Sequence, residues 1–374
     1  MSEISDVLSA ISALHARGER MALATIVSVR GSTYRRPGAR LLVPAHGAAV
    51  GNVSGGCLEG DVERIGREVM ASGEPRLELF DLTADGDEVW GYGLGCNGAM
   101  ELFIEPAEHA VATAAALRTA VEEERACCLV TVIDSGTDTV SPGARLLLHA
   151  DGRVEGGIGS DEADAAAADL ARHALDSGVS SLEQLGELRV FTEVLLPPPR
   201  LLVCGAGHDA IPLVRQAASL GWHVTVADVR RPFLSHDRFP DAVAFLHAEP
   251  LVVGDAFVPD ARTSAVVMTH NYLRDIDYLR SLLGRGLAYL GVLGPRRRTD
   301  QMLAELAATG IEPTAADLDV LHAPAGLDLG AEGPVEVAWS IVAELLAVHR
   351  GRAGGPLRAR TAPIHAVPEA EPAV

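Results

Sequence analysis

The apolar and polar positions of this chain follow different patterns in its front and back parts. In the front part, short runs of β-branched residues and leucine lie between glycine and polar turn residues, which predicts strands. Helix-like segments follow at 58–71 and 162–176, and the first carries its apolar residues at spacings of three and four. In the back part, strand-like and helix-like runs alternate from residue 201 onwards, which is typical of βαβ units and a parallel sheet. The sequence therefore predicts an α/β protein, with a mixed α/β domain followed by a Rossmann-like domain.

An internal repeat divides the front part. The motif PGARLL at 37–42 recurs at 142–147, and a β-branched run precedes each copy, at 25–28 and 131–134. Each copy continues through a glycine turn and a third strand to a helix, so we predict two similar β-β-β-α units. The copies differ just before the helix, because only the first carries the sequence SGGC, at 54–57. This pattern indicates a duplicated scaffold whose chemistry lies in one copy.

Three consecutive prolines separate the two parts, since proline continues neither a helix nor a central strand. We assign residues 1–194 to the domain with the two repeats, 195–200 to a proline-rich linker and 201–350 to the Rossmann-like domain. Residues 351–374 are rich in glycine, proline, alanine and arginine without an apolar period, which predicts a disordered tail.

A glycine-rich turn follows the first strand of the back part. It reads G-x-G-x-x-A, with Gly205 and Gly207 as its two glycines, and it lies between a predicted strand and a predicted helix. Such a turn lets a pyrophosphate approach the backbone, and Asp228 at the end of the next strand is placed to bond ribose hydroxyls. NAD(P) is therefore a candidate ligand, and Arg230 and Arg231 leave the choice between NAD and NADP open. The alternative is a Rossmann fold in which Asp228 only caps the next turn.

Further polar residues are expected at the same edge of the parallel sheet. His208 follows the second glycine, and His270 ends a later strand, where open sheets bind ligands. Arg296, Arg297 and Arg298 follow another strand, and guanidinium groups at that edge are suited to hold a phosphate. The alternative for these residues is an ordinary polar helix start.

A cysteine after two glycines is the main candidate for catalytic chemistry in the front part. Ser54, Gly55 and Gly56 precede Cys57 at a predicted helix start, where the positive end of the helix dipole favours a thiolate. A soft thiolate suits a soft metal or a sulfur-transfer step. Cys96 lies in a second glycine-rich loop and is a second catalytic candidate. The alternative for both is a structural thiol.

Composition and charge exclude several classes of protein. All 31 Lys+Arg residues are arginine, so a P-loop lysine, a Schiff-base lysine and a lysine general base are excluded. The 51 acidic residues give a formal charge of -20, which argues against a nucleic-acid partner. Five scattered cysteines without CxxC or HExxH spacing indicate neither a disulfide framework nor a structural zinc site. No apolar run is long enough for a membrane span and the start lacks a signal pattern, so we expect a cytoplasmic protein without a membrane partner.

Six segments occur in order along the chain: GNVSGGCLE at 51–59, GLGCNG at 93–98, CGAGH at 204–208, TH at 269–270, GPRRR at 294–298 and HAPAGLDLG at 322–330. Together they resemble the motifs of the XdhC/CoxI family, which are xanthine dehydrogenase accessory proteins also linked to carbon monoxide dehydrogenase maturation. The resemblance covers nearly the whole chain before the tail.

The resemblance implies a maturation factor rather than a turnover enzyme. Such a protein binds molybdenum cofactor (molybdopterin), helps its sulfuration and passes it to a molybdenum hydroxylase of the xanthine dehydrogenase type. A cysteine desulfurase is a further expected partner, and the expected assembly is a homodimer. Carried over by position, Cys57 would be the thiol nearest the cofactor and its metal, with Cys96 second. Gly205, Gly207 and His208 would line the Rossmann crevice.

The alternative function is that of an NAD(P)-dependent oxidoreductase. In that case His208 or His270 would act as acid and base in the Rossmann crevice, and Cys57 would have no part. Such chemistry requires a partner that orients the histidine, and the sequence shows none.

Overall fold

The computed structural model describes residues 3–81, 97–136, 139–361 and 364. The chain divides into two compact units, Met1–Pro198 and Pro199–Val374, so that the division falls among the three prolines. Cys96, one of the two cysteines singled out from the sequence, lies outside the described residues.

The N-terminal unit contains two copies of one arrangement. The first copy consists of α1 (Glu3–Ala16), β1 (Met21–Ser32), β2 (Arg40–Pro44), β3 (Val50–Gly51), α2 (Glu59–Ser72), β4 (Arg76–Asp81) and β5 (Asn97–Pro106). The second consists of α3 (Ala107–Val121), β6 (Cys127–Ser135), β7 (Arg145–His149), β8 (Val154–Gly157), α4 (Asp161–Ser177), β9 (Ser181–Leu185) and β10 (Leu188–Leu195). Their antiparallel five-stranded sheets have equivalent strand orders, β3-β2-β1-β5-β4 and β8-β7-β6-β10-β9. The duplication therefore extends beyond the predicted β-β-β-α units to a leading helix and two closing strands.

Glycine is required at the same point of both copies. Gly51 and Gly156 have positive φ angles of 88° and 77°. A Cβ at Gly51 would lie 2.4 Å from the carbonyl oxygen of Arg40, and one at Gly156 would lie 2.5 Å from that of Arg145. The matching glycines in the sequence repeat thus have one physical cause, a close approach of the third strand to the second.

The two copies pack against each other through a bulge in each long strand. The register of β1 against β5 shifts at Val27, and that of β10 against β6 shifts at Ile133. Both bulged residues are buried in one cluster with Phe103 and Phe191. A β-bulge redirects a side chain out of the regular alternation, and here the two bulges supply the apolar contact between the copies.

Two reciprocal ion pairs accompany this contact. Arg40 of the first PGARLL motif donates to Glu193 of β10 at 2.5 Å, and Arg145 of the second motif donates to Glu105 of β5. The Arg40 and Glu193 side chains are only 4% and 7% exposed. A cavity of about 20 Å³ between the copies is lined by both pairs. The repeated arginine therefore joins each copy to the closing strand of the other.

The C-terminal unit is built on one parallel six-stranded sheet of order β13-β12-β11-β14-β15-β16. Its strands are β11 (Arg200–Cys204), β12 (His223–Ala227), β13 (Ala244–Leu246), β14 (Thr263–Val267), β15 (Tyr289–Val292) and β16 (Leu321–His322). Its helices are α5 (Ala210–Ser219), α6 (Val253–Phe257), α7 (Tyr272–Leu282), α8 (Arg296–Ala308), α9 (Ala315–Asp319) and α10 (Pro334–His349). The strand order reverses between β11 and β14, which creates the crevice where such sheets bind ligands. The predicted fold class, a mixed α/β domain followed by a Rossmann-like domain, is confirmed.

Part of the predicted tail is described. Residues 351–361 include a 3-10 turn at Leu357–Ala359, whereas 365–374 lie outside the described residues. Among the helices of the described chain, none combines the length and apolar character needed to cross a membrane.

Candidate functional site

The loop before α2 is held together by one buried hydroxyl. Ser54 Oγ accepts from the backbone N–H groups of Gly56 and Leu58 at 3.2 and 3.1 Å, and donates to the Glu59 carboxylate. The Ser54 backbone N–H donates to the same carboxylate at 2.9 Å. Burial raises the pKa of Glu59, but these bonds outweigh it and hold that pKa below its ordinary value. Ser54 thus shapes the loop from inside, while Gly55 and Gly56 are exposed on its outer side.

The glycines around this loop keep its outer side free of side chains. Gly56 needs its residue type because its φ is +105°. At Gly55 and Gly60, by contrast, φ is not positive and a Cβ would meet no atom within 4 Å. Gly60 is the second residue of α2, where glycine costs about 0.5–1 kcal/mol relative to alanine. The fold therefore requires glycine at neither position.

Cys57 follows the two exposed glycines, and its side chain packs in part against the core cluster that contains Leu58 and Val62. It is half-buried and lies directly before Leu58, the N-cap residue of α2. The other cysteines of the described chain, Cys127, Cys128 and Cys204, are buried. Burial raises the pKa of the Cys127 thiol to about 11 and that of Cys128 to about 12, and it raises the pKa of Cys204 well above its ordinary value. These three are core thiols held in the protonated form.

This contrast predicts selective alkylation. Iodoacetamide at neutral pH should modify Cys57 in the native protein faster than the other described cysteines, because Cys57 is partly exposed and the buried thiols offer neither access nor thiolate. Peptide mass spectrometry after brief treatment measures the modified fraction of each cysteine, and Cys57→Ser supplies the control. Equal labelling of Cys57 and Cys128 in folded protein would contradict the assignment.

In the part of the chain that the structure describes, no protein-only metal centre accompanies the thiol. Within the described ranges, His, Cys, Asp and Glu side chains form no group of three or more that could hold a metal ion.

The second candidate site lies in the Rossmann unit. There the space beside Gly205 and Gly207 is filled by other residues of the protein, so it is not open to a ligand. A Cβ at Gly205, which has a φ of +116°, would lie 3.0 Å from both Met268 O and Thr269 Cα. A Cβ at Gly207 would lie 2.7 Å from Oδ1 of Asp209. The G-x-G turn therefore brings the ends of β11 and β14 together and accommodates the Asp209 carboxylate.

Asp228 lies at the predicted strand end, but its carboxylate is already occupied. Oδ1 accepts from the backbone N–H and Nε of Arg230, at 2.8 and 2.9 Å. Oδ2 accepts from Ala206 N and Arg230 Nη2, both at 2.7 Å. The side chain is 3% exposed, so its oxygens face the loop rather than the crevice.

A histidine–aspartate pair spans the crevice at the strand-order reversal. Nε2 of His270, at the end of β14, lies 2.5 Å from Oδ2 of Asp209, at the start of α5. His270 is 63% exposed, whereas Asp209 is 16% exposed. His208 is exposed beside the pair. The structure thus supplies the orienting partner for His270 that the sequence did not reveal.

The three arginines of GPRRR begin α8 but have different surroundings. Arg298 donates to the fully buried Asp275 at 2.5 Å, so its charge is already neutralised. Arg296 and Arg297 are exposed and remain the cations available to a ligand at this edge. Asp275 also accepts from the hydroxyl and backbone N–H of Thr269, which fixes the end of β14.

Comparisons with known proteins cover both units. The profile of the XdhC Rossmann domain matches residues 201–345, and that of the XdhC and CoxI family matches 14–81 and 120–186. The chain is 33% identical over 331 residues to a probable xanthine dehydrogenase subunit of Bacillus subtilis (strain 168), which covers 88% of this chain and 93% of that protein. The chain belongs to the XdhC and CoxI family.

Two further comparisons agree with this XdhC and CoxI membership. The chain is 31% identical over 252 residues to the uncharacterized protein YqeB of Escherichia coli (strain K12), covering 62% of this chain and 46% of that protein. A crystal structure of a xanthine dehydrogenase from Bacillus halodurans has a TM-score of 0.75 at 28% identity, covering 95% of this chain and 99% of that one. The predicted resemblance to the XdhC/CoxI family is confirmed.

For this XdhC and CoxI family protein, the occupied carboxylate of Asp228 predicts loss of stability in acid. Burial raises the pKa of Asp228, but the bonds from Arg230 and Ala206 outweigh it, so the folded pKa lies below the ordinary value. Its contribution to the free energy of unfolding is therefore present above about pH 4 and is lost as the pH falls through the folded pKa. Urea unfolding of wild type and Asp228→Asn should show a difference at pH 7 that shrinks below pH 4. A constant difference would contradict this prediction.

Proposed function

We propose that this protein is an accessory factor that binds molybdenum cofactor, assists its sulfuration and inserts it into a molybdenum hydroxylase of the xanthine dehydrogenase or carbon monoxide dehydrogenase type. The observation that carries the proposal is the Cys57 loop. It offers a partly exposed thiol near Gly55 and Gly60, which the fold does not require to be glycine, and the second copy has Ser160 and Asp161 at the corresponding place. The names of two relatives support the class of client: a probable subunit of xanthine dehydrogenase in Bacillus subtilis, and a xanthine dehydrogenase from Bacillus halodurans.

The residues of the loop suit a large ligand that has a planar ring system and a metal able to bind sulfur. Gly55, Gly56 and Gly60 leave a surface onto which a ring system can lie against the backbone. Cys57, directly after Gly56, provides a soft sulfur ligand, the donor type that a soft metal prefers. Ser54 acts as a positioning residue, because its hydroxyl holds the loop without facing the cargo. The cofactor is cargo here, and its metal and dithiolene chemistry belong to the cargo itself.

In the Rossmann unit we assign the crevice a binding role for the same cargo. His208 and His270 stand at its mouth, and Arg296 and Arg297 are the exposed cations at the same edge. Gly205 and Gly207 allow the two strand ends to approach. NAD(P) remains the alternative ligand, but the geometry favours it less, because Asp228 has no oxygen directed to a ribose hydroxyl.

The remaining parts of the proposal concern partners and location. A cysteine desulfurase would supply the sulfur, the hydroxylase would receive the cofactor, and the protein would act in the cytoplasm as a homodimer. The formal charge of -20 supports the expectation that neither nucleic acid nor an anionic membrane surface is a partner. Delivery, rather than turnover of a small substrate, would be its task.

Purification from a molybdenum-replete host tests the binding step. Oxidised pterin fluorescence and bound molybdenum should appear together and in constant ratio in the purified full chain. The control is the same preparation from a host unable to insert molybdenum, which should carry pterin without metal or neither. Protein without pterin and without molybdenum from the replete host would contradict the proposal.

The glycines provide a prediction that separates stability from cargo binding. Gly60→Ala should leave the free energy of unfolding unchanged or raise it by about 0.5–1 kcal/mol, since alanine favours the helix and meets no atom. The same change should lower cofactor retention, because its methyl group enters the surface on which the ring system would lie. Urea unfolding and the pterin content of the purified variant measure the two effects. Unchanged retention in Gly60→Ala would show that the cargo does not lie on this face.

A further inference from the structure

We propose that His270 and Asp209 form an acid–base pair serving the ligand of the Rossmann crevice, in which His270 exchanges a proton with that ligand and Asp209 positions it. The inference rests on the proposed cofactor-binding function of this crevice. It assigns the ligand a hydrogen-bonding N–H or O–H group, of the kind carried by a pterin ring. Asp209 is a positioning residue here, because it acts through the imidazole.

The contact itself fixes the state of the ring. Oδ2 of Asp209 lies 2.5 Å from Nε2 of His270, and a carboxylate only accepts, so the proton of the neutral ring is on Nε2. Nδ1 then carries the free lone pair and has no hydrogen-bond partner within the described residues. Because His270 is 63% exposed, Nδ1 is open to a ligand as a proton acceptor. An orienting carboxylate of this kind is the arrangement that makes a histidine an effective base.

The backbone of His270 has an unfavourable conformation that its neighbours in the chain hold in place. Its φ is +57°, in the left-handed region that residues other than glycine seldom adopt. Thr269 on one side is tied to the buried Asp275, and Asn271 on the other side caps α7 through Arg274 N. Backbone in such a conformation persists where its surroundings fix it, and it is concentrated at functional sites.

The position of Asp209 depends on the neighbouring strand. Asp209 precedes α5 and comes from the strand that neighbours β14 across the reversal of strand order. Gly207 leaves the space that its carboxylate fills, since a Cβ there would lie 2.7 Å from Oδ1. The contact at the crevice thus depends on two unusual backbone positions: Gly207, which leaves room for the carboxylate, and His270, which has a positive φ. An exposed ion pair that served stability alone would contribute little, because solvent screens it.

The test combines a spectroscopic readout with cofactor binding, using the full chain. In protein with ¹⁵N-labelled histidine and neutral rings, wild type should show a single His270 tautomer protonated on Nε2, whereas Asp209→Asn should show a mixture. Retention of molybdenum cofactor, measured as oxidised pterin per chain, should fall by about tenfold or more in Asp209→Asn, as happens when the partner orienting a ligand-binding histidine is removed. His270→Asn, which tolerates the left-handed backbone, should lose retention to a similar extent and identifies the resonance.

Asp241→Asn is the charge-matched control, because Asp241 lies at 4.0 Å from Arg215 in an exposed pair and should leave both readouts unchanged. A mixed tautomer in Asp209→Asn with wild-type retention would overturn the acid–base pair and leave the proposed function standing. A single Nε2 tautomer in Asp209→Asn would overturn the positioning role of Asp209. Wild-type protein that retains no pterin would end the proposed function and this inference together.

Discussion

Cys57→Ser is expected to reduce retention of molybdenum cofactor by about tenfold or more while the chain remains folded. Serine removes the soft sulfur ligand at nearly constant volume, so the packing of this half-buried side chain against the core of the first copy is largely kept. The supports of the loop, Ser54 and Glu59, are untouched by the change. Oxidised pterin per purified chain and the urea midpoint measure binding and folding separately.

Cys96→Ser is the matched removal of the other glycine-flanked thiol, and it should cost less if Cys57 is the principal contact. Cys57→Ala distinguishes the loss of sulfur from any effect of the introduced hydroxyl, and it should behave like Cys57→Ser. A folded Cys57→Ser protein with wild-type pterin content would show that the thiol is structural, whatever the family membership implies.

The second large effect concerns the ion pairs between the repeats. Arg40→Met should destabilise the N-terminal unit by about 3–5 kcal/mol, because it leaves the Glu193 carboxylate buried without a cation. The double variant Arg40→Met/Glu193→Met should recover much of this loss, since paired apolar residues can replace a buried ion pair at little expense. Urea unfolding of the three proteins gives the values.

The second repeat offers an internal replicate of this experiment. Arg145→Met should show a comparable loss through Glu105, which also accepts from Thr113 at 3.0 Å. The exposed pair Arg285–Asp255 is the control, and Arg285→Met should change stability little because solvent screens that pair. If Arg40→Met and Arg285→Met were equally mild, the buried pairs would not be what joins the two copies.

The repeat shows how far a sequence pattern reaches. The motif PGARLL and its glycines predicted the duplicated strands, because turn residues and β-branched runs act locally. The reason for the arginine stayed hidden, since Arg40 and Glu193 are 153 positions apart and β5 and β10 follow the helices that end the recognised repeat. Only the folded unit shows that each arginine serves the other copy.

The crevice shows the same limit at a functional site. His270 was predicted at the sheet edge from its place after a strand, yet Asp209 was missed because it lies 61 positions away. The available signal was that both residues lie in the loops after strands β11 and β14, but the sequence alone does not specify that these strands are neighbours. For Asp228 the spacing after the glycine turn predicted the right position at the end of β12. It did not predict that Arg230 donates to both carboxylate oxygens, which a ribose would need as acceptors.

Delivery of molybdenum cofactor by this protein can be measured as transfer to a client enzyme. Wild-type protein purified with its molybdenum cofactor is mixed with a cofactor-free xanthine dehydrogenase-type hydroxylase, and hydroxylase activity is followed against time. Activity is expected to appear with the loaded wild type and to rise with its pterin content, whereas Cys57→Ser prepared in the same way should give at most about a tenth of it. If hydroxylase activity is the same with loaded wild type, with Cys57→Ser and with buffer, the protein does not deliver the cofactor through Cys57.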